Sequence, residues 1–248
     1  MATTLSSINS AFIDNFFNDI LRGESKTYND YNYYDSSGLH SWIEGRNNRP
    51  YGTLTKPLSE YTIGEIKVFQ ANSRSKSPGQ LFATGRYQII PNTLKGQQVK
   101  AGLSDSDIYN KTNQDKLGLS LIMSRKTVSK YIKGEIENNQ QNLEKSALDM
   151  AMIWSSLGVP YNVNNKQKNQ SYYANDRASV DTSIVQKNLQ EFREEWAKPN
   201  MSNQDTKLDS PDSKKKSKAI LIIVIIVLVL LMTIIIIYRS KIAKMLAN

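Results

Sequence analysis

The chain has 248 residues, no cysteine, a single histidine and a formal net charge of +9. Because there is no thiol and no second imidazole, this composition excludes a disulfide framework, a thiol nucleophile and the paired-histidine zinc sites of metallopeptidases. No arginine-rich run interleaved with aromatic residues supports nucleic-acid binding.

The C-terminal part of the chain is predicted to be a membrane anchor. Residues 219–238, from Ala219 to Tyr238, are uncharged and almost wholly apolar. As a helix they would be about 30 Å long, which matches the hydrocarbon thickness of a bilayer. We expect a polar and basic linker over 199–218, one transmembrane helix over 219–238 in contact with lipid, and a short basic tail over 239–248.

The N-terminal residues show no secretory signal. They lack the basic segment and the continuous apolar run of a signal peptide. The sequence therefore predicts a single-pass membrane protein with a C-terminal anchor and no signal peptide.

The first part of the chain shows one helix and then an irregular region. Apolar residues recur at helical spacing from Ile8 to Leu21, and Gly23 ends the predicted helix. Residues 24–61 are rich in Tyr, Asn, Asp, Ser and Gly, which predicts long loops or a short hairpin.

More helices follow along the chain. A second helix is predicted to begin at Thr62, because Glu65 has the spacing of a capping box. A third begins at Pro91, and three more are predicted over 113–133, 143–157 and 180–197. The fold class expected is therefore a mainly α domain over residues 1–198, followed by the linker and the anchor.

Glu24 is the best candidate for acid chemistry. It follows the first predicted helix, where the negative end of the helix dipole disfavours an ionised carboxylate by about 0.3–1 kcal/mol. A general acid needs the protonated form that this placement favours. The residues after it, from Tyr28 to Asn32, read Y-N-D-Y-N and combine aromatic faces with amides that suit sugars. A solvated glutamate followed by an ordinary polar loop would give the same pattern.

Four segments together resemble a known family. They are Glu24-Ser25, the Y-N-D-Y-N run, T-I-G-E-I from Thr62 to Ile66, and G-R-Y-Q-I-I-P-N-T-L from Gly85 to Leu94. In this order they are similar to the lysozyme-like, peptidoglycan-cleaving domains of phage endolysins, and more distantly to the bacteriophage lambda endolysin type. The resemblance covers roughly residues 8–197. Residues 33–60 depart from the Gly-rich segment that is usual there.

The resemblance implies the roles of the site residues. Glu24 would be the general acid and then the general base. For Arg86 the residues themselves leave two roles open, a structural ion pair, which we favour, and a contact with the ligand. The remaining residues would bind the sugar and its N-acetyl group: Tyr31, Asn32, Gly85, Tyr87 and Gln88. Asp30 and Asp35 are the candidates for a second carboxylate. No metal and no organic cofactor are implied.

The expected function is cleavage of the β-1,4 bond between N-acetylmuramic acid and N-acetylglucosamine, by hydrolysis or by lytic transglycosylation. The partner would be the glycan strands of peptidoglycan, reached on the periplasmic or wall side after release or delivery, by a phage lysin or an interbacterial toxin. Whether an immunity protein exists stays open. Two alternatives remain: a non-catalytic, membrane-tethered peptidoglycan-binding module, and a protein that disrupts membranes through residues 219–238.

Overall fold

The computed structural model describes residues 8–34, 36–43, 54–70, 78–174 and 176–208. Within these ranges the chain forms seven α-helices and a small three-stranded sheet, so the fold is mixed, with helices in the majority. The elements, in chain order, are α1 (Ser10–Ile20), β1 (Tyr31–Tyr34), β2 (His40–Ile43), α2 (Ile63–Phe69), β3 (Leu81–Thr84), α3 (Pro91–Gln98), α4 (Lys111–Met123), α5 (Lys126–Ile132), α6 (Gln140–Ala151) and α7 (Thr182–Leu208).

The sheet has the order β2-β1-β3, and both of its pairings are antiparallel. Strands β1 and β2 make the short hairpin that was one of the two predictions for residues 24–61. Strand β3, immediately before the GRYQ block (residues 85–88), was not predicted. Its partner β1 lies about 50 residues earlier, and such a pairing leaves no local trace in the sequence.

The first two helices follow local signals. Asn9 caps α1 by accepting a hydrogen bond from the Ala11 N–H at 2.8 Å. The capping box of α2 is confirmed: the Thr62 N–H donates to Glu65 Oε2 at 2.7 Å, and the Glu65 N–H donates to Thr62 Oγ1 at 3.2 Å. These bonds satisfy donors that the first turn of a helix leaves free.

The single helix predicted over 113–133 is wrong, because the structure has α4 and α5 in its place. The Ser124 Oγ donates to the Leu121 carbonyl at 2.7 Å, and Arg125 is extended, with φ −88° and ψ 123°. The new helix is capped from a distant element: the Asp149 carboxylate accepts from the N–H groups of Thr127 and Val128, at 3.0 and 3.1 Å. A cap supplied by another helix cannot be read from the local sequence.

The last two predicted helices have different bounds in the structure. The helix predicted over 143–157 is α6, which ends at Ala151, and residues 152–157 leave the helix to make the contacts described below. The helix predicted over 180–197 is α7, whose backbone continues to Leu208, so the first part of the predicted linker is helical. Of the helices the structure describes, none combines the length and apolar character needed to span a bilayer. Residues 219–238 lie outside the described residues.

A cluster of buried aromatic rings joins α1 to the later elements within the compact unit Ala2–Ala197. The Phe17 ring lies 4.6 Å from the Tyr87 ring and 6.3 Å from the Trp154 ring, measured between centroids. The Phe16 ring lies 4.9 Å from that of Phe192 on α7. This packing brings the end of α1, the GRYQ block and the segment after α6 together.

Candidate active site

Glu24 is half-buried and follows directly on the end of α1. Its N–H donates to the Leu21 carbonyl at 2.9 Å, which continues the last turn. Its carboxylate oxygen Oε1 accepts a hydrogen bond from the Ser156 N–H at 2.9 Å. Ser156 itself is 4% exposed, and no group in the described part of the chain bonds to its hydroxyl. The carboxylate is therefore held in one position by a backbone donor from a distant segment.

Arg86 fixes the backbone on both sides of Glu24. Its guanidinium donates to the Phe17 carbonyl at 3.2 Å, to Asn18 Oδ1 at 2.6 Å and to the Ser25 carbonyl at 3.0 Å. The Phe17 carbonyl already accepts from the Leu21 N–H at 2.9 Å, so Arg86 adds a second donor, and its positive charge suits the negative end of the helix dipole. Arg86 therefore has the structural role that we favoured, but neutral oxygens hold it, where we had expected an ion pair.

A cavity of about 440 Å³ lies between the GRYQ block and the end of α6. Its walls include Gln88 and Ile90, Arg125 at the break between α4 and α5, and the segment from Met152 to Trp154. A hydrogen bond holds this segment against the GRYQ block, because the Trp154 Nε1–H donates to the Tyr87 carbonyl at 3.1 Å.

Glu24 does not itself line this cavity, but its charge acts on Tyr173, which does. The Tyr173 side chain is part of the cavity wall, and its hydroxyl donates to the Met152 carbonyl at 2.7 Å. Burial raises the pKa of Tyr173, while the Arg125 guanidinium lowers it and the Glu24 carboxylate raises it. The geometric link between Glu24 and the cavity is Ser156, which bonds the Glu24 carboxylate and lies two residues beyond Trp154 of the cavity wall.

Of the predicted sugar-binding residues, Gln88 and Tyr87 are among those that line this cavity, and Gln88 is the more exposed of the two. Its backbone is left-handed, with φ 47°, and its Nε2 donates to the Gly85 carbonyl at 2.9 Å. This local bond orients the amide and leaves its Oε1 oxygen as an acceptor.

Tyr87 belongs to the cavity wall, but its side chain is buried in the core, which argues against the predicted contact between its ring and the sugar. The residue is 1% exposed, its ring packs on Phe17, and its hydroxyl donates to Asp115 Oδ1 at 2.6 Å. Tyr28 donates to the same carboxylate oxygen at 2.8 Å. Gly118 makes room for the Tyr87 ring, since a Cβ there would lie 2.3 Å from Tyr87 Cε1. Tyr87 is a core residue, because packing its ring on Phe17 and bonding its hydroxyl to Asp115 stabilise the fold more than an exposed ring would.

Gly85 is also explained by the protein itself, in contrast to the predicted contact with a glycan. It is buried with φ +71°, and a Cβ at this position would lie 2.1 Å from Gln114 Oε1. That oxygen accepts a hydrogen bond from the Arg86 N–H at 2.9 Å. The glycine therefore makes room for a buried amide, and the prediction of a backbone open to the sugar is wrong.

Tyr31 and Asn32 both stabilise the sheet, and the burial of Tyr31 argues against its predicted contact with the sugar. Tyr31 is 3% exposed and belongs to the core cluster. Asn32 Oδ1 accepts a hydrogen bond from the Ala83 N–H at 2.8 Å, where the pairing of β1 with β3 shifts register. The amide thus replaces a ladder hydrogen bond that the irregular register would leave unmade.

The Asp30 carboxylate is fully occupied, which argues against it as the second catalytic carboxylate. Asp30 is 2% exposed. It accepts from Ser25 Oγ at 2.9 Å, from the Lys26 and Thr27 N–H groups at 2.9 and 3.2 Å, and from Thr27 Oγ1 at 2.7 Å. It shapes the loop after Glu24, because short-range carboxylate bonds of this kind stabilise tight turns. Asp35 lies outside the described residues.

Three residues that bond Glu24 or line the cavity were not identified as site residues from the sequence: Arg125, Ser156 and Tyr173. Arg125 lies at the break between α4 and α5, and Ser156 and Tyr173 lie in the irregular segment between α6 and α7, where no local motif marks a functional residue. Among the described residues, no group of carboxylates and histidines could hold a metal ion.

Comparisons with known proteins found no match: no protein-family model, no curated protein and no solved structure is similar to this chain at the significance required.

Proposed function

We propose that the protein cleaves the β-1,4 bond between N-acetylmuramic acid and N-acetylglucosamine in peptidoglycan, with Glu24 as the proton donor. The observation behind this proposal is the half-buried Glu24 carboxylate, held by the Ser156 N–H at 2.9 Å beside a cavity large enough for part of a glycan. The resemblance of the GRYQ block to phage endolysins supports the same reaction.

In the first step the Glu24 carboxyl group donates its proton to the glycosidic oxygen as the bond to C1 breaks. The resulting carboxylate then takes a proton from the group that attacks C1. That group is water in hydrolysis, or the 6-hydroxyl of the same muramic acid residue in lytic transglycosylation.

The two routes need different partners for Glu24. Hydrolysis ordinarily uses a second carboxylate, about 5–9.5 Å away. The bonds of Asp30 argue against it in this role. Transglycosylation needs no second carboxylate, because the nucleophile belongs to the substrate.

Mass spectrometry of digested peptidoglycan tests the proposal. Cleavage should release disaccharide muropeptides, with a reducing end after hydrolysis and a 1,6-anhydro end, lighter by one water, after transglycosylation. Peptidoglycan that is bound but never cut would refute the reaction and favour the non-catalytic binding module.

We also propose that residues 219–238 anchor this domain to a membrane. The support is their uncharged sequence, whose length suits a bilayer. An anchored domain would act on the wall close to that membrane, in a phage lysin or an interbacterial toxin.

A further inference from the structure

We propose that the cavity beside Glu24 binds a carboxylate of the substrate through Arg125 and Lys100. That this carboxylate belongs to the peptide stem of peptidoglycan rests on the proposed function. The cavity would then distinguish peptide-bearing glycan from neutral glycan.

The charges in the cavity wall have one sign. Lys100 and Arg125 are its charged residues, and neither aspartate nor glutamate lines it. Within the described part of the chain, neither cation forms an ion pair, although four other such pairs are present. Two cations in a partly enclosed space whose wall carries no acidic side chain attract an anionic group.

Arg125 is held in a defined position at the cavity. It is half-buried, and its Nη2 donates to the Met152 carbonyl at 2.9 Å. Tyr173 donates to the same carbonyl at 2.7 Å, so both side chains are fixed against one point of the backbone. A guanidinium has five N–H donors, and its planar fork matches the two oxygens of a carboxylate. The position therefore suits recognition of a carboxylate, whereas a loose surface cation would give only weak attraction.

The neutral groups around the two cations fit a peptide near a sugar. Gln88, Thr93 and Ser124 line the same cavity and offer amide and hydroxyl partners. The glycan backbone of peptidoglycan is neutral where its sugars are N-acetylated and its lactyl groups are amide-linked, so its carboxylates lie on the peptide stems. A neutral glycan of the chitin type would leave Arg125 and Lys100 without a counter-ion, and binding would be weaker.

Isothermal titration calorimetry on the full-length Glu24→Gln protein, at low ionic strength, tests this site without cleavage of the ligand. The two probes are a disaccharide–tetrapeptide muropeptide with free carboxylates and the same muropeptide with its carboxylates amidated. The free form should bind at least about tenfold more tightly, the usual weight of a hydrogen bond to a charged group. Arg125→Gln and Lys100→Gln should each reduce this preference, and Arg125→Lys should retain part of it.

Lys126→Gln is the matched control. It removes the same charge one residue away, from an exposed side chain that does not line the cavity. Lys100 is exposed, so Lys100→Gln tests the site even if Arg125→Gln disturbs the fold. Equal affinity for the two probes, failure to bind the free form, or an equal loss in Lys126→Gln would overturn the proposal.

The binding site and the reaction can fail separately. A carboxylate preference in a protein that does not need Glu24 for cleavage would leave the anion site standing and refute the proposed function of Glu24. No preference, in a protein that does need Glu24, would overturn the anion site alone.

Discussion

Replacing Glu24 by glutamine is the sharpest test of the proposed reaction. Glutamine has nearly the shape of glutamate and keeps an oxygen that can accept the Ser156 N–H, but it has no proton to give to a glycosidic oxygen. Clearance of purified peptidoglycan should therefore fall by at least about 10²-fold, the ordinary contribution of general acid–base catalysis.

The structure predicts little change in stability from this substitution. Converting the bond between the Ser156 N–H and Glu24 Oε1 from charge-assisted to neutral weakens it, at a cost of about 0.5–1.5 kcal/mol. Removing a negative charge from the C-terminal end of α1 stabilises the folded protein by about 0.3–1 kcal/mol. The two effects nearly cancel, so the melting temperature should change by no more than about 4 °C. Glu24→Ala is less informative, since it leaves the Ser156 N–H without its partner.

Glu65→Gln is the matched control, because glutamine serves as well as glutamate in the capping box of α2. This variant also loses one carboxylate, yet it should retain both activity and stability. Activity is followed as the fall in turbidity of a peptidoglycan suspension, and folding by circular dichroism. Glu24→Gln activity within a few-fold of wild type would refute the reasoning, and so would an equal loss in Glu65→Gln.

Three further predictions concern the core, the pH response and the C-terminal segment. Gly85→Ala should lower the free energy of unfolding, measured in urea, by about 1–3 kcal/mol more than Gly102→Ala does. Both glycines have φ near +70°, but of the two only Gly85 faces a buried oxygen, Oε1 of Gln114. Equal losses would contradict this contact. Burial and a neighbouring carboxylate raise the pKa of Tyr28 from 10.0 to about 12. Between these two pH values the folded protein keeps this proton and the unfolded chain loses it, so the free energy of unfolding should fall as pH rises from about 10 to 12. Unfolding curves measured over this pH range should show a smaller fall for Tyr28→Phe. Deleting residues 219–248 should move the protein from the membrane fraction to the supernatant, and a truncated chain that still sediments with membranes would rule out the anchor.

Local sequence patterns determined the elements that depend on short-range contacts. The apolar spacing that predicted α1 places Phe16, Phe17 and Ile20 in the core, and the spacing of Thr62 and Glu65 predicted a capping box that the structure confirms. Both signals lie within one or two turns of a helix, where the interacting groups are neighbours in sequence.

Only the tertiary structure decided what the conspicuous polar and aromatic residues do. Tyr87, Gly85 and Asp30 have the residue types of a sugar-binding cleft, but their partners lie in the core or in the adjacent loop. Conversely, Arg125 and Ser156 stand in no motif and reach the site because α4 breaks and α6 ends before them. A side chain becomes part of a site through the segments that fold against it, and here Glu24 and Ser156 are 132 residues apart in sequence. Such long-range contacts depend on the packing of the whole domain and leave no periodic trace along the chain.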